Sequence, residues 1–243
     1  LNLAFPVTIF RSAIFFLWFA LVSAILSVTF LPALLLPRRV TVWMSRWWSR
    51  LVLWGLKVFA GTGFEVRGRR PPNGVLVAAK HMSIWDTLAL YLVLDDPAVV
   101  LKRGLTLVPF YGWYIAKAGS IAIDRDGGAQ ALRRMAAKAR RLTAEGRSVL
   151  IFPEGTRKAP GAAPDYKPGV AGLYGQLGVA CVPAALNSGL FWQAFLKRPG
   201  TIVLEFLEPI APGLKSREFL KLLEARIEAA TAALVAEGGR FNS

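Results

Sequence analysis

Apolar and polar positions divide the chain into two unlike parts. Ser12–Leu36 contains no charged residue, and as a helix it would measure about 37 Å against a hydrocarbon core of about 30 Å. Arg11 precedes it and Arg38-Arg39 follow it, so one long apolar helix with charged ends is expected. The stretch is long for a cleaved signal, and no small-x-small cleavage site follows it. Pro32 leaves open whether such a helix spans a bilayer or dips in and returns. Thr41–Ala60 has a different pattern. Arg46, Arg50 and Lys57 share one helical face, beside an apolar stripe of Trp43, Trp47, Leu51 and Trp54. Arginine is costly at mid-bilayer and tryptophan favours the interface, so this second helix is expected to lie in the membrane interface. A core helix of the following domain is the alternative. Residues 1–60 therefore read as a membrane-binding helical segment, and 61–243 as a separate domain.

After Gly61-Thr62-Gly63 the period changes. Short β-branched runs occur at 64–67, 75–79, 98–101, 120–123, 148–152, 179–186 and 201–207, with helical patterns between several of them. Ala129–Ala144 places Leu132, Met135, Ala136, Ala139 and Leu142 on one side and five basic residues on the rest. A last helix is expected over Ser216–Ala236, with Phe219, Leu222, Leu223 and Ile227 as its apolar stripe. Strands alternating with helices predict an α/β fold, a mixed and mostly buried sheet flanked by helices. Residues 159–168, with three prolines and Gly161, read as a loop.

Composition narrows the partners. A net charge of +15 beside 54% hydrophobic residues fits a protein lying against anionic membrane lipid better than a soluble domain. Nucleic acid is not expected: zinc spacing, an RNA-recognition signature and a basic arm are all missing. Six Lys and Arg but no Asp or Glu precede Glu65, and five of the six follow the apolar stretch. The positive-inside tendency then puts the main domain on the cytoplasmic side. The one cysteine, Cys181, sits in an apolar run and reads as an inert core thiol. The chain begins at Leu1 rather than Met, so upstream residues are expected to be missing or trimmed.

Two short motifs carry chemistry. His81, the only histidine, follows the 75–79 run. The pKa of histidine as a residue type suits a general base that takes a proton from an alcohol. Asp86 is the natural carboxylate to accept the second ring N–H. On an ideal helix the two would stand about 140° apart and could not meet. Ser83-x-x-Asp86 resolves this as a capping box, with His81 in the turn before the helix and folded back toward Asp86. Asp86 acting as a helix cap alone is the other reading. The 148–152 run ends in Pro153-Glu154-Gly155-Thr156-Arg157. Gly155 permits close backbone approach and Arg157 can grip a phosphate in a bidentate fork. An ordinary turn with a surface Glu–Arg pair is the alternative.

Taken in order, His81-x4-Asp86 and Phe152–Arg157 resemble motifs of the glycerolipid acyltransferases, closest to the bacterial 1-acyl-sn-glycerol-3-phosphate acyltransferase branch. Lys102-Arg103, Pro109, Gly112 and Gly119 through Asp124-Arg125 are similar to its second block. Lys167-Pro168-Gly169 and Val182-Pro183 are similar to its last blocks, so the likeness covers roughly residues 64–210. Met82 stands where close relatives often carry Gln, and Gly104 where Glu is usual.

The resemblance implies an acyl thioester of coenzyme A or acyl carrier protein as co-substrate, with no cofactor and no metal. It implies His81 as base toward the sn-2 hydroxyl of lysophosphatidic acid, oriented by Asp86. It implies an acceptor headgroup site from Arg103, Glu154, Gly155, Thr156 and Arg157, with Lys102 and Arg125 beside it, and a place at the bacterial inner membrane. Another lysolipid, such as lyso-ornithine lipid, is the alternative acceptor. A membrane-bound acyl hydrolase is the nearest rival class, although the chain has no Gly-x-Ser-x-Gly run.

Overall fold

The computed structural model describes residues 4–124 and 127–240. The expected single apolar helix is two pieces. Helix α1 runs Ala4–Thr29, and a 3₁₀ turn, Leu31–Leu35, reverses the chain at Pro32. Proline has no N–H to continue the ladder, which is why the break falls there. Arg11 lies inside α1 rather than at its end, and its Nε donates to the Phe59 carbonyl at 2.9 Å. Helix α2, Arg38–Gly55, packs back along α1. Trp18 Nε1 donates to the Leu51 carbonyl at 2.9 Å, and Trp48 Nε1 to Ser23 Oγ at 3.1 Å. Gly55 is what lets the helices close: a Cβ there would lie 2.1 Å from the Trp18 ring.

One expectation about α2 is corrected. Arg46 does not share an outward basic face with Arg50 and Lys57. Its guanidinium turns inward, with Nη1 on the Tyr91 and Leu94 carbonyls and Nη2 on that of Leu92. These groups end helix α3, Ile84–Val93, whose last carbonyls have no partner within the helix. Arg50 and Lys57 remain exposed, as do Trp43, Trp47 and Trp54. So α2 is a core helix on its Arg46 side and keeps its tryptophan stripe outward.

Among the described residues, seven strands form one sheet in the order β1-β7-β6-β2-β5-β3-β4. They are β1 Thr62–Arg67, β2 Leu76–Ala79, β3 Ala98–Lys102, β4 Ile121–Ile123, β5 Val149–Ile151, β6 Cys181–Leu186 and β7 Gly200–Phe206. Each falls within or beside an apolar run of the sequence. Strands β2 to β6 are mutually parallel, while β7 and its parallel neighbour β1 run against them. Period-two alternation sorts their side chains. Val77, Ala79 and Leu150 face α2 and α3; Leu76, Ala78, Val149 and Cys181 face helices α5 (Gly128–Ala144), α6 (Gly169–Leu177) and α7 (Ser216–Arg240). Cys181 is fully buried, and burial pushes its thiol pKa up, as an inert core residue requires. Helix α7 outruns its expected end by four residues, and on that last stretch Arg67 holds Glu237 through Nη1 and Nη2, each at 2.7 Å.

Helix α1 is tied to this body at one buried cation. Lys197 is fully buried, and its ammonium donates to the carbonyls of Gln193, Ala194 and Phe195. It lies over the rings of Phe15, Phe16 and Trp192, and its backbone N–H donates to Ser12 Oγ at 2.9 Å. Most of the rest of α1 is apolar and exposed, and Phe5–Thr29 is long and apolar enough to cross a membrane. That surface marks the chain as membrane-associated.

Candidate active site

The parallel arrangement decides where chemistry can gather. The carboxyl ends of β2, β3, β4, β5 and β6 open on the same edge of the sheet, where open α/β folds hold their ligands. The segments leaving that edge are Lys80–Ser83, Lys102-Arg103, Asp124, Phe152–Arg157 and Asn187–Gly189. Nearly every residue singled out in the sequence lies on one of them. Arg125 lies outside the described residues.

The alternation of β2 continues past its end. Lys80 points to the α5–α7 side and His81 to the α3 side. Ser83 is the N-cap of α3 in extended backbone, and it forms a capping box with Asp86. His81 Nδ1 lies 2.9 Å from Asp86 Oδ2, the same oxygen that accepts the N–H groups of Met82 at 2.6 Å and Ser83 at 2.8 Å. Asp86 thus caps the helix and holds the imidazole at once, so the two sequence readings are not exclusive. Its other oxygen accepts Ser83 Oγ at 3.2 Å and the hydroxyl of Ser188. Asp86 is fully buried, while the His81 side chain keeps 16% of its surface. The His81 ring stacks on Phe152, with centroids 4.0 Å apart. With Nδ1–H donated to the carboxylate, Nε2 is the nitrogen left to accept a proton.

Ser188 is the part that sequence reasoning missed. It sits in a 3₁₀ turn after β6, over a hundred residues from Asp86, and no motif spacing marks it. Parallel pairing of β6 with β2 brings it there. The one available signal was the polar Asn187-Ser188 pair at the end of a wholly buried run.

The second motif splits. Gly155 takes φ +67° in a turn closed by its N–H on the Phe152 carbonyl, and Thr156 and Arg157 stand exposed beyond it. The following Lys158 N–H donates to the His81 carbonyl at 2.9 Å, joining the two motifs through backbone. Glu154 goes the other way. It is buried, and its Oε1 accepts the Lys80 ammonium at 3.0 Å rather than an arginine. Lys80 is also bound at 2.8 Å by Glu228 Oε1, which takes the Tyr166 hydroxyl at 2.8 Å. Burial raises the Glu154 carboxyl above the usual range, and the Lys80 ammonium partly pulls it back. Burial beside Glu228 likewise holds the Tyr166 phenol up. Glu154 and Lys80 therefore form a buried floor on which the Gly155–Arg157 turn stands.

Lys102 and Arg103 are exposed at the end of β3, two strands from β2. Met82 is buried beside Gly189, whereas Gly104 is exposed in a 3₁₀ turn. The described residues hold no group of three His, Cys, Asp or Glu side chains suited to a metal ion.

The model of the family described as Acyltransferase matches residues 63–187, from the first strand to the turn at Asn187. A 1-acyl-sn-glycerol-3-phosphate acyltransferase of Pseudomonas aeruginosa is 38% identical over 159 residues, 64% of this chain and 62% of that protein. The alpha enzyme of that name from Mus musculus is 31% identical over 173 residues, 67% of this chain and 60% of its own length. The chain thus spans about three fifths of these two relatives. The crystal structure of the 1-acyl-sn-glycerophosphate acyltransferase PlsC from Thermotoga maritima superposes with a TM-score of 0.75 over 92% of this chain and 96% of that one. At 20% identity, that likeness speaks for the fold. The matched span holds the His81–Asp86 pair and the Phe152–Arg157 strand end within a sheet of the same architecture, and on that ground the chain belongs to the Acyltransferase family.

Proposed function

We propose that the chain transfers a fatty acyl group from an acyl thioester of coenzyme A or acyl carrier protein to the sn-2 hydroxyl of 1-acyl-sn-glycerol-3-phosphate, giving phosphatidic acid. The observation that carries this is the His81–Asp86 pair: one ring nitrogen is committed to a buried carboxylate, and the imidazole keeps 16% of its surface exposed. His81 Nε2 takes the proton as the acceptor oxygen attacks the thioester carbonyl. The tetrahedral intermediate collapses, the C–S bond breaks, and the imidazolium returns the proton to the thiolate. Asp86 keeps the tautomer and stabilises the imidazolium. A base so placed contributes about 10²–10⁴ in rate. Arg157, with Lys102 and Arg103, offers exposed cations for the acceptor phosphate, and Gly155-Thr156 offers close backbone and a hydroxyl. Glu154 acts through the turn rather than on the lipid.

The membrane segment fits this substrate, since a 16-carbon chain holds its lipid in the bilayer by about 10 kcal/mol or more. The enzyme then works at the bacterial inner membrane with its site on the cytoplasmic side. The test uses protein in detergent with lysophosphatidic acid and either acyl-CoA or acyl carrier protein thioester. Phosphatidic acid should form, and His81→Ala should abolish it; a variant as fast as wild type refutes the mechanism. Fatty acid released without acceptor would point to a hydrolase. The Met82 and Gly104 departures favour one further arm, an acceptor screen that includes lyso-ornithine lipid.

A further inference from the structure

We propose that residues 103–113 form a second bilayer contact, a lip inserted into an anionic leaflet beside the active-site edge. The segment leaves β3 at the carboxyl edge and folds as a 3₁₀ turn, Arg103–Leu107, followed by α4, Tyr111–Lys117. Leu105, Leu107, Val108, Tyr111 and Trp113 are all exposed, Leu107 by 78%. A soluble surface rarely gathers five large apolar side chains within nine residues.

The lip is held firmly. The Gly112 N–H donates to the Val108 carbonyl at 2.7 Å, and a Cβ at Gly112 would lie 2.3 Å from the Thr106 carbonyl oxygen. Such packing presents the apolar side chains as a fixed ridge. It is also continuous with the apolar N-terminal helices. Tyr114 Oη donates to the Ser27 carbonyl of α1 at 2.9 Å, and α4 packs on the Leu31–Leu35 turn, where Leu35 is 90% exposed. Charge selects the occupant. No acidic residue occurs between Asp96 and Asp124, whereas Lys102, Arg103 and Lys117 flank the ridge. An apolar ridge with a tryptophan and basic flanks suits the headgroup boundary of an anionic leaflet. A protein partner or a second copy would leave the continuity with α1 without a role. Seated this way, the lip brings the edge that carries His81 down to the lipid surface.

The test exploits Cys181, whose buried, raised-pKa thiol will not take a label. Leu107→Cys in the full chain is labelled with an environment-sensitive fluorophore and reconstituted in phosphatidylcholine–phosphatidylglycerol vesicles. Glu145→Cys, exposed at the opposite edge of the sheet, is the control. Shallow spin-labelled lipid should quench the label at 107 about threefold more than at 145, and aqueous iodide should show the reverse order. Iodide quenching without lipid quenching overturns the proposal, as does shielding from both, which would mean a protein contact. As a second readout, Leu107→Asp with Val108→Asp should slow transfer to vesicle-borne acceptor about tenfold while leaving a water-soluble short-chain acceptor within about twofold. Equal loss on both overturns it. If wild type transfers no acyl group, the proposed function fails, yet the quenching result still decides the lip.

Discussion

Lys80→Met tests the buried floor beneath the site. The substitution keeps most of the side-chain volume and removes an ammonium that is 2% exposed and lies 3.0 Å from Glu154 and 2.8 Å from Glu228. Removing one partner of a buried pair costs about 3–5 kcal/mol. Glu228 is 26% exposed and can turn to water, so the lower end, about 3 kcal/mol, is expected. For a chain of this size that lowers Tm by about 6–12 °C. The loss should depend on pH in a defined direction. Burial already raises the Glu154 carboxyl, and without Lys80 only a backbone hydrogen bond at Asp165 offsets it. A carboxyl with a raised folded pKa destabilises the fold as pH climbs from the unfolded value through the folded one. The variant should therefore approach wild type between pH 8 and pH 5, as Glu154 takes up a proton. Glu154→Gln added to Lys80→Met should recover part of the loss at pH 8. Thermal unfolding in one detergent across that range is the assay. A Tm within about 2 °C of wild type at pH 8, or a double variant less stable than the single one, refutes the reasoning.

Three further outcomes are expected in acyl transfer assays. Asp86→Asn should lower kcat by about 10²–10⁴ with little change in KM, because an amide no longer offers the carboxylate that fixes the His81 tautomer; an activity near wild type would detach Asp86 from the mechanism. Ser188→Ala removes one of the hydroxyls on Asp86 and should lower kcat by about tenfold, the worth of one hydrogen bond to a charged group, with acceptor KM unchanged. Arg157→Ala should raise KM for a phosphorylated acceptor about tenfold or more, for the loss of a charge-assisted contact, while KM for the thioester stays put; an unchanged acceptor KM removes Arg157 from the headgroup site.

What can be read from local pattern was read correctly where local forces decide. The seven strand runs and the α5 and α7 periods depend on side-chain alternation over a few residues, and each element lies near where its run does. The His81–Asp86 contact was also legible, because Ser83 is three residues from Asp86 and a capping box is a local device.

Other features were decided by residues far apart in the chain. Arg46 turns inward because α3 docks its carbonyl end beside α2, which no helical wheel reveals. Glu154 meets Lys80 because the Leu76–Ala79 and Val149–Ile151 strands pair in parallel, and Ser188 reaches Asp86 because Cys181–Leu186 joins them from the other side. The sequence by itself determined which elements form and that His81 has a carboxylate to lean on. Only the tertiary structure decided which distant side chains support that pair, because a parallel sheet gathers the ends of strands that the chain keeps tens of residues apart.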